Sequence, residues 1–154
     1  FDHCSSLTTA DLKATDTIGM AAFRGCSNLI GEATDTPSGM RNVLHVGAEV
    51  VGGWAFEGCS ALRFVEFMEA TVVEAGLLYN TTILEEVQFD KVFTCNFDAT
   101  QHSRYPTFGP NIANMYLFVN ADQANVSSTV LTTEAGIRIT FKAIQEARNI
   151  TVKE

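Results

Sequence analysis

The sequence predicts a stacked-repeat solenoid of five to six coils in a single domain, mostly short parallel strands with short helical turns. Three observations lead to that reading. The segment Val51-Gly-Gly-Trp-Ala-Phe-Glu-Gly-Cys-Ser-Ala-Leu-Arg-Phe-Val-Glu-Phe67 recurs as Ile18-Gly-Met-Ala-Ala-Phe-Arg-Gly-Cys-Ser-Asn-Leu29 and, shortened, as Phe1-Asp-His-Cys-Ser-Ser-Leu7. Its Phe position falls at Phe1, Phe23, Phe56, Leu78, Phe108 and Phe141, spaced by 22, 33, 22, 30 and 33 residues. A unit of 22 residues is too small to bury its own apolar face, so it must stack on its neighbours.

Within each unit the residues assign themselves in order. Leu62-Arg-Phe-Val-Glu-Phe67 alternates at its end and is rich in Val and Phe, which predicts a strand with Val65 and Phe67 facing inward. The Ala-Phe-x-Gly-Cys segment predicts a tight turn or a single helical turn, with Gly25 and Gly58 supplying a permissive backbone. Cys4, Cys26 and Cys59 share one position, about 4.8 Å from one another if the units stack, and read as small buried thiols. The longer spacings carry insertions near 30–42, 90–106 and 120–138, which map to loops. The first holds the turn signal Pro37-Ser-Gly39; the third is Ser/Thr-rich and reads as strand or loop. Phe141 to Arg148, with Lys142 and Glu146 four apart, has helical character and is expected to shield the end of the stack.

The pattern Ile/Val-Gly-x-x-Ala-Phe-x-Gly-Cys-Ser-x-Leu-x-x-Val-x-Phe resembles the BspA-like leucine-rich repeat of bacterial surface proteins, most closely over 18–29 and 51–67. The resemblance implies a leucine-rich-repeat solenoid, a right-handed β/α superhelix. It also implies a secreted or surface-displayed location and a role in adhesion or partner binding rather than catalysis. The chain departs from the pattern where Leu78 and Thr81 replace the Phe and Cys, and where insertions enlarge three units. It opens inside a repeat without an initiator Met, so it reads as part of something longer.

Composition narrows the partner. Apolar content of 46% and charged content of 18% describe a globular chain. A net charge of -8 with scattered basic residues argues against nucleic acid, which needs clustered Lys and Arg. The longest apolar run, Met115 to Val119, falls far short of the roughly 20 residues a membrane helix needs, so no spanning segment is expected.

Few residues suggest chemistry. Cys95, Asp98 and His102 could be a thiol nucleophile with its base and an orienting carboxylate, or a weak metal cluster, but no family-specific motif flanks them. They read as loop residues, and catalysis, metal and cofactor are not expected. His3 beside Cys4 would point to the opposite face of a strand. His45, between Leu44 and Val46, reads as a solvated surface histidine. Sequons at Asn80, Asn125 and Asn149 matter only in a glycosylating pathway.

The outward strand positions are more informative. One row reads Thr9, Phe64, Glu86, Tyr116 and Asn149; the next reads Asp11, Glu66, Gln88, Phe118 and Thr151, with His45 beside it. Aromatics flanked by carboxylates and amides suit a sugar or a basic peptide. The candidate binding residues are therefore Phe64, Glu66, Glu86, Gln88, Tyr116 and Phe118. The expected function is non-catalytic recognition or adhesion with a protein or glycan partner. The alternatives are a structural spacer and a hydrolase using Cys95 and His102.

Overall fold

The computed structural model describes residues 1–37, 39–74 and 76–91, and the backbone of four strands over 114–120, 130–132, 138–144 and 150–152. Strands form where β-branched and aromatic residues alternate. In chain order they are β1 (Thr17–Ile18), β2 (Glu32–Thr36), β3 (Gly39–Val46), β4 (Val50–Val51), β5 (Phe64–Phe67) and β6 (Val72–Val73). There follow β7 (Glu86–Phe89), β8 (Asn114–Asn120), β9 (Val130–Thr132), β10 (Arg138–Ile144) and β11 (Ile150–Val152).

Two sheets result. β1, β4 and β6 make a small parallel sheet. The larger sheet runs in the order β11-β10-β8-β7-β5-β3-β2, with β9 also paired to β10. Its central pairs are parallel, whereas β2–β3, β9–β10 and β10–β11 are antiparallel.

This architecture corrects the expected leucine-rich-repeat solenoid, with its right-handed β/α superhelix and short helical turns. No described residue is helical, and the larger sheet is of mixed direction. The backbone gives the reason. Ala21 and Gly25, Trp54 and Gly58, and Gly76 and Asn80 all have φ between 55° and 70°. An α-helix cannot continue through such left-handed residues. The amides between them reach across to the neighbouring turn instead: Phe23 N–H donates to the Ala55 carbonyl at 2.8 Å, and Phe56 N–H to that of Leu77 at 3.0 Å.

Two local expectations are corrected as well. The insertion at 30–42 is mostly strand, since β2 and the first part of β3 form an antiparallel hairpin around Pro37. The helical reading of 141–148 fails over its first four residues. Arg138-Ile-Thr-Phe-Lys-Ala-Ile144 is a strand, paired with β8 along its whole length. Its alternation of apolar Ile139, Phe141 and Ala143 with polar Arg138, Thr140 and Lys142 outweighs the charge pair at four-residue spacing.

The core packs beneath the larger sheet. Val65, Phe67, Val87 and Phe89 are buried from β5 and β7, and Phe23, Phe56, Leu29 and Leu62 from the turns. Phe1, Phe23 and Phe56 stack with centroids 5.4 Å apart at each step, and Phe67 stacks on Phe89 at 4.7 Å. Each fully buried ring contributes about 1.5–3 kcal/mol by burial, and each ring pair roughly 0.5–1.5 kcal/mol more. Cys26 and Cys59 are buried free thiols; Cys59 Sγ donates to the Phe23 carbonyl at 3.2 Å. Cys4, by contrast, is exposed. Burial pushes the Cys26 thiol up and the Cys59 thiol up to about 12. Among the described residues no helix is long and apolar enough to cross a membrane.

Candidate functional site

The face of the larger sheet turned away from this core carries a second set of side chains, because residues alternate sides along a strand. Register aligns His45 with Glu66 and Gln88 across β3, β5 and β7, and Phe64 with Glu86. The β2–β3 hairpin bounds this face on one side. Between hairpin and sheet lies a cleft of about 120 Å³ whose lining includes Thr34, Arg41, His45, Phe64, Glu66 and Gln88.

A hydrogen-bonded row crosses the cleft. Thr34 Oγ1 lies 3.1 Å from His45 Nε2, and His45 Nδ1 lies 2.7 Å from Glu66 Oε2. Gln88 Nε2 donates to Glu66 Oε1 at 2.9 Å and to Asp90 Oδ1 at 2.7 Å. The Glu66 side chain is only 9% exposed, so these partners matter: a buried carboxylate without them would carry a large desolvation cost.

A charged cluster borders the row. Arg41 Nη1 lies 2.9 Å from Glu86 Oε2, and Arg41 Nε donates to Thr36 Oγ1 at 3.0 Å. The Arg41 guanidinium sits 4.5 Å from the centroid of Phe64, and that of Arg63 5.4 Å. Arg63 is itself paired with Glu85. Phe64 therefore faces cations of its own chain, which changes its expected role as an open platform for a sugar ring.

Four of the sequence-predicted residues, Phe64, Glu66, Glu86 and Gln88, line this one cleft. Tyr116 and Phe118 lie on β8 in register with Glu86 and Gln88, so their backbone continues the two rows. Beyond them the rows pass to Thr140 and Lys142 on β10, where Asn149 and Thr151 had been expected. Thr151 pairs with Ala143 instead. Cys95, Asp98 and His102 lie outside the described residues, as do Asn125 and Asn149. Asn80 occupies a left-handed turn position with φ 59°. His3 Nδ1 lies 2.8 Å from Asp2 Oδ1 rather than joining Cys4 in a chelate. Among the described residues no group of three or more His, Cys, Asp or Glu side chains could hold a metal ion.

Sequence reasoning missed Thr34, Thr36 and Arg41 and misjudged His45, which is 13% exposed and engaged at both ring nitrogens. A signal was available. Thr34 and Thr36 alternate before Pro37-Ser-Gly39, and Arg41, Val43 and His45 alternate after it. Two alternating runs around a short turn mark a hairpin whose facing side chains share one surface.

No protein-family model, curated protein or solved structure matches the chain.

Proposed function

We propose that this chain is a recognition module, displayed at a cell surface or secreted, that binds a partner through the cleft between the β2–β3 hairpin and the sheet. The observation that carries this reading is the composition of the cleft. Carboxylates of Glu66 and Glu86, the Gln88 amide and a guanidinium-flanked Phe64 converge on one small recess. Polar groups gathered around an aromatic are the usual furniture of binding sites.

The net charge of -8 favours a basic protein surface as the partner over an anionic one. Phe64 bears on a different choice: with two guanidinium groups close to its ring, it is better suited to a protein contact than to stacking a sugar. The surface or extracellular location rests on the resemblance of residues 18–29 and 51–67 to the surface-protein repeat.

The test is a protein and glycan array probed with the wild type and with Phe64→Ala and Glu86→Ala. Binding to basic proteins that weakens in both variants supports the proposal. Glycan binding unaffected by either would remove the cleft from the account.

A further inference from the structure

Recognition leaves one feature of the cleft unused. Thr34, His45 and Glu66 form a linear relay: hydroxyl oxygen to Nε2 at 3.1 Å, then Nδ1 to carboxylate at 2.7 Å. These three come from three different strands, so the relay is a product of the tertiary fold. From this geometry we infer that the cleft is an acyl-transfer site, with Thr34 as nucleophile and a carboxylic ester as the class of substrate.

The roles follow from donor and acceptor capacity. A carboxylate only accepts, so Glu66 accepts a hydrogen bond from Nδ1–H of His45, and that tautomer leaves Nε2 as the acceptor facing Thr34 Oγ1. That is the order of parts in nucleophile–base–orienter catalysis: hydroxyl, imidazole, carboxylate. Gln88 holds the other Glu66 oxygen at 2.9 Å and fixes the carboxylate's orientation. The Thr34 hydroxyl also lies 3.1 Å from the Glu32 carbonyl, a competing acceptor it must leave when it turns to Nε2.

A developing oxyanion needs a donor, and the register supplies one. Arg41 lies directly opposite Thr34 in the β2–β3 pair. Its guanidinium has five N–H groups; Nε contacts Thr36 and Nη1 contacts Glu86. A guanidinium turned from Glu86 towards the substrate stabilises negative charge on its carbonyl oxygen.

In the first step Thr34 Oγ1 forms a bond to the ester carbonyl carbon while His45 Nε2 takes the hydroxyl proton. The carbonyl π pair moves to oxygen beside Arg41. Collapse of this adduct breaks the bond to the alcohol oxygen, which leaves with the proton from His45. Water then attacks the acyl-threonine, giving its proton to His45, and collapse releases the carboxylic acid as that proton returns to Thr34 Oγ1. No oxidant, metal or further reactant is required.

This activity goes beyond partner recognition and can be assayed without any partner, so the two readings fail separately. The full chain is incubated with p-nitrophenyl acetate, following nitrophenolate by absorbance and the acetylated residue by peptide mass spectrometry. The expected result is acetyl on Thr34, with nitrophenolate release falling about a hundredfold in His45→Ala. Thr34→Val should lose the adduct while melting as a folded protein. Glu66→Gln should lower kcat with little change in KM. Thr34→Ser keeps a hydroxyl at the same place, so it should still be acetylated at position 34 and remains decisive if another variant does not fold. Acetylation confined to lysines or the N-terminus overturns the proposal, as does a Thr34 adduct that forms equally fast in His45→Ala.

Discussion

A methyl group added at Gly58 would lie 3.7 Å from Gly25 Cα, an ordinary contact, so any cost of Gly58→Ala comes from its φ of +69°. Holding an alanine in that left-handed conformation costs about 1–2 kcal/mol. Gly31 is different: its φ is +87°, and an added Cβ would meet the Val43 carbonyl at 2.3 Å. Gly31→Ala should therefore lower the melting temperature well beyond Gly58→Ala, and equal losses would contradict this account of the two turns. Phe56 is fully buried between Phe23 and Phe67, so Phe56→Ala should cost about 3–5 kcal/mol in denaturant unfolding.

Cys59 adds a pH dependence whose sign is fixed by burial. Its folded pKa stands at about 12 against an ordinary value of 9.0. Below pH 9 both folded and unfolded chains keep the proton, and the stabilisation is fully present. Between 9 and 12 the unfolded chain binds fewer protons than the folded one, so stability falls as pH rises. The full window amounts to about 4 kcal/mol. Unfolding titrations at pH 8 to 11 should show a steeper loss for the wild type than for Cys59→Ala. Parallel curves would mean that the thiol is not desolvated.

Among the elements, the hairpin changes the meaning of the sheet face. Glu66 on β5 is buried, with His45 of β3 and Gln88 of β7 as hydrogen-bond partners and Thr34 of the hairpin on the far side of His45. Glu66→Ala leaves these partners short of an acceptor and should cost about 1–3 kcal/mol. Glu85→Ala removes an exposed ion pair with Arg63 and should stay within about 1 kcal/mol. A double-mutant cycle of Glu66 with His45 should give a clear coupling energy, and additivity within error would dissolve the network.

What the sequence made legible divides along physical lines. Alternation placed Val65 and Phe67 inward, and the shared positions of Phe23 and Phe56 and of Cys26 and Cys59 pointed to buried residues; these six are buried, whereas Phe1 and Cys4, at the same positions of the opening unit, are exposed. The helical turns were misread because short apolar segments do not declare their φ, and Ala21, Trp54 and Asn80 take left-handed values usually left to glycine. His45 was misread because its burial depends on Thr34, Glu66 and the hairpin, which are distant in sequence. Cross-strand partners of this kind follow from register, and register becomes visible only once the strands are paired.

For the molecule as a whole, sheet and hairpin act together. The parallel pairs β3–β5–β7 supply the floor of the cleft, and the antiparallel β2–β3 pair supplies its side. With a net charge of -8, association with a basic partner should accelerate at low salt and slow as salt screens the field. An on-rate indifferent to ionic strength would argue for an apolar contact elsewhere on the surface.

The central claim is that this cleft is where the protein meets its partner. The most direct measurement is the affinity of a basic protein identified on the array, compared between the wild type and Glu86→Ala by titration calorimetry. Loss of the Glu86 carboxylate removes one negative charge from the cleft and leaves Arg41 without that acidic partner, so affinity should fall at least about tenfold while melting shifts little. Unchanged affinity in a folded Glu86→Ala protein would contradict the claim.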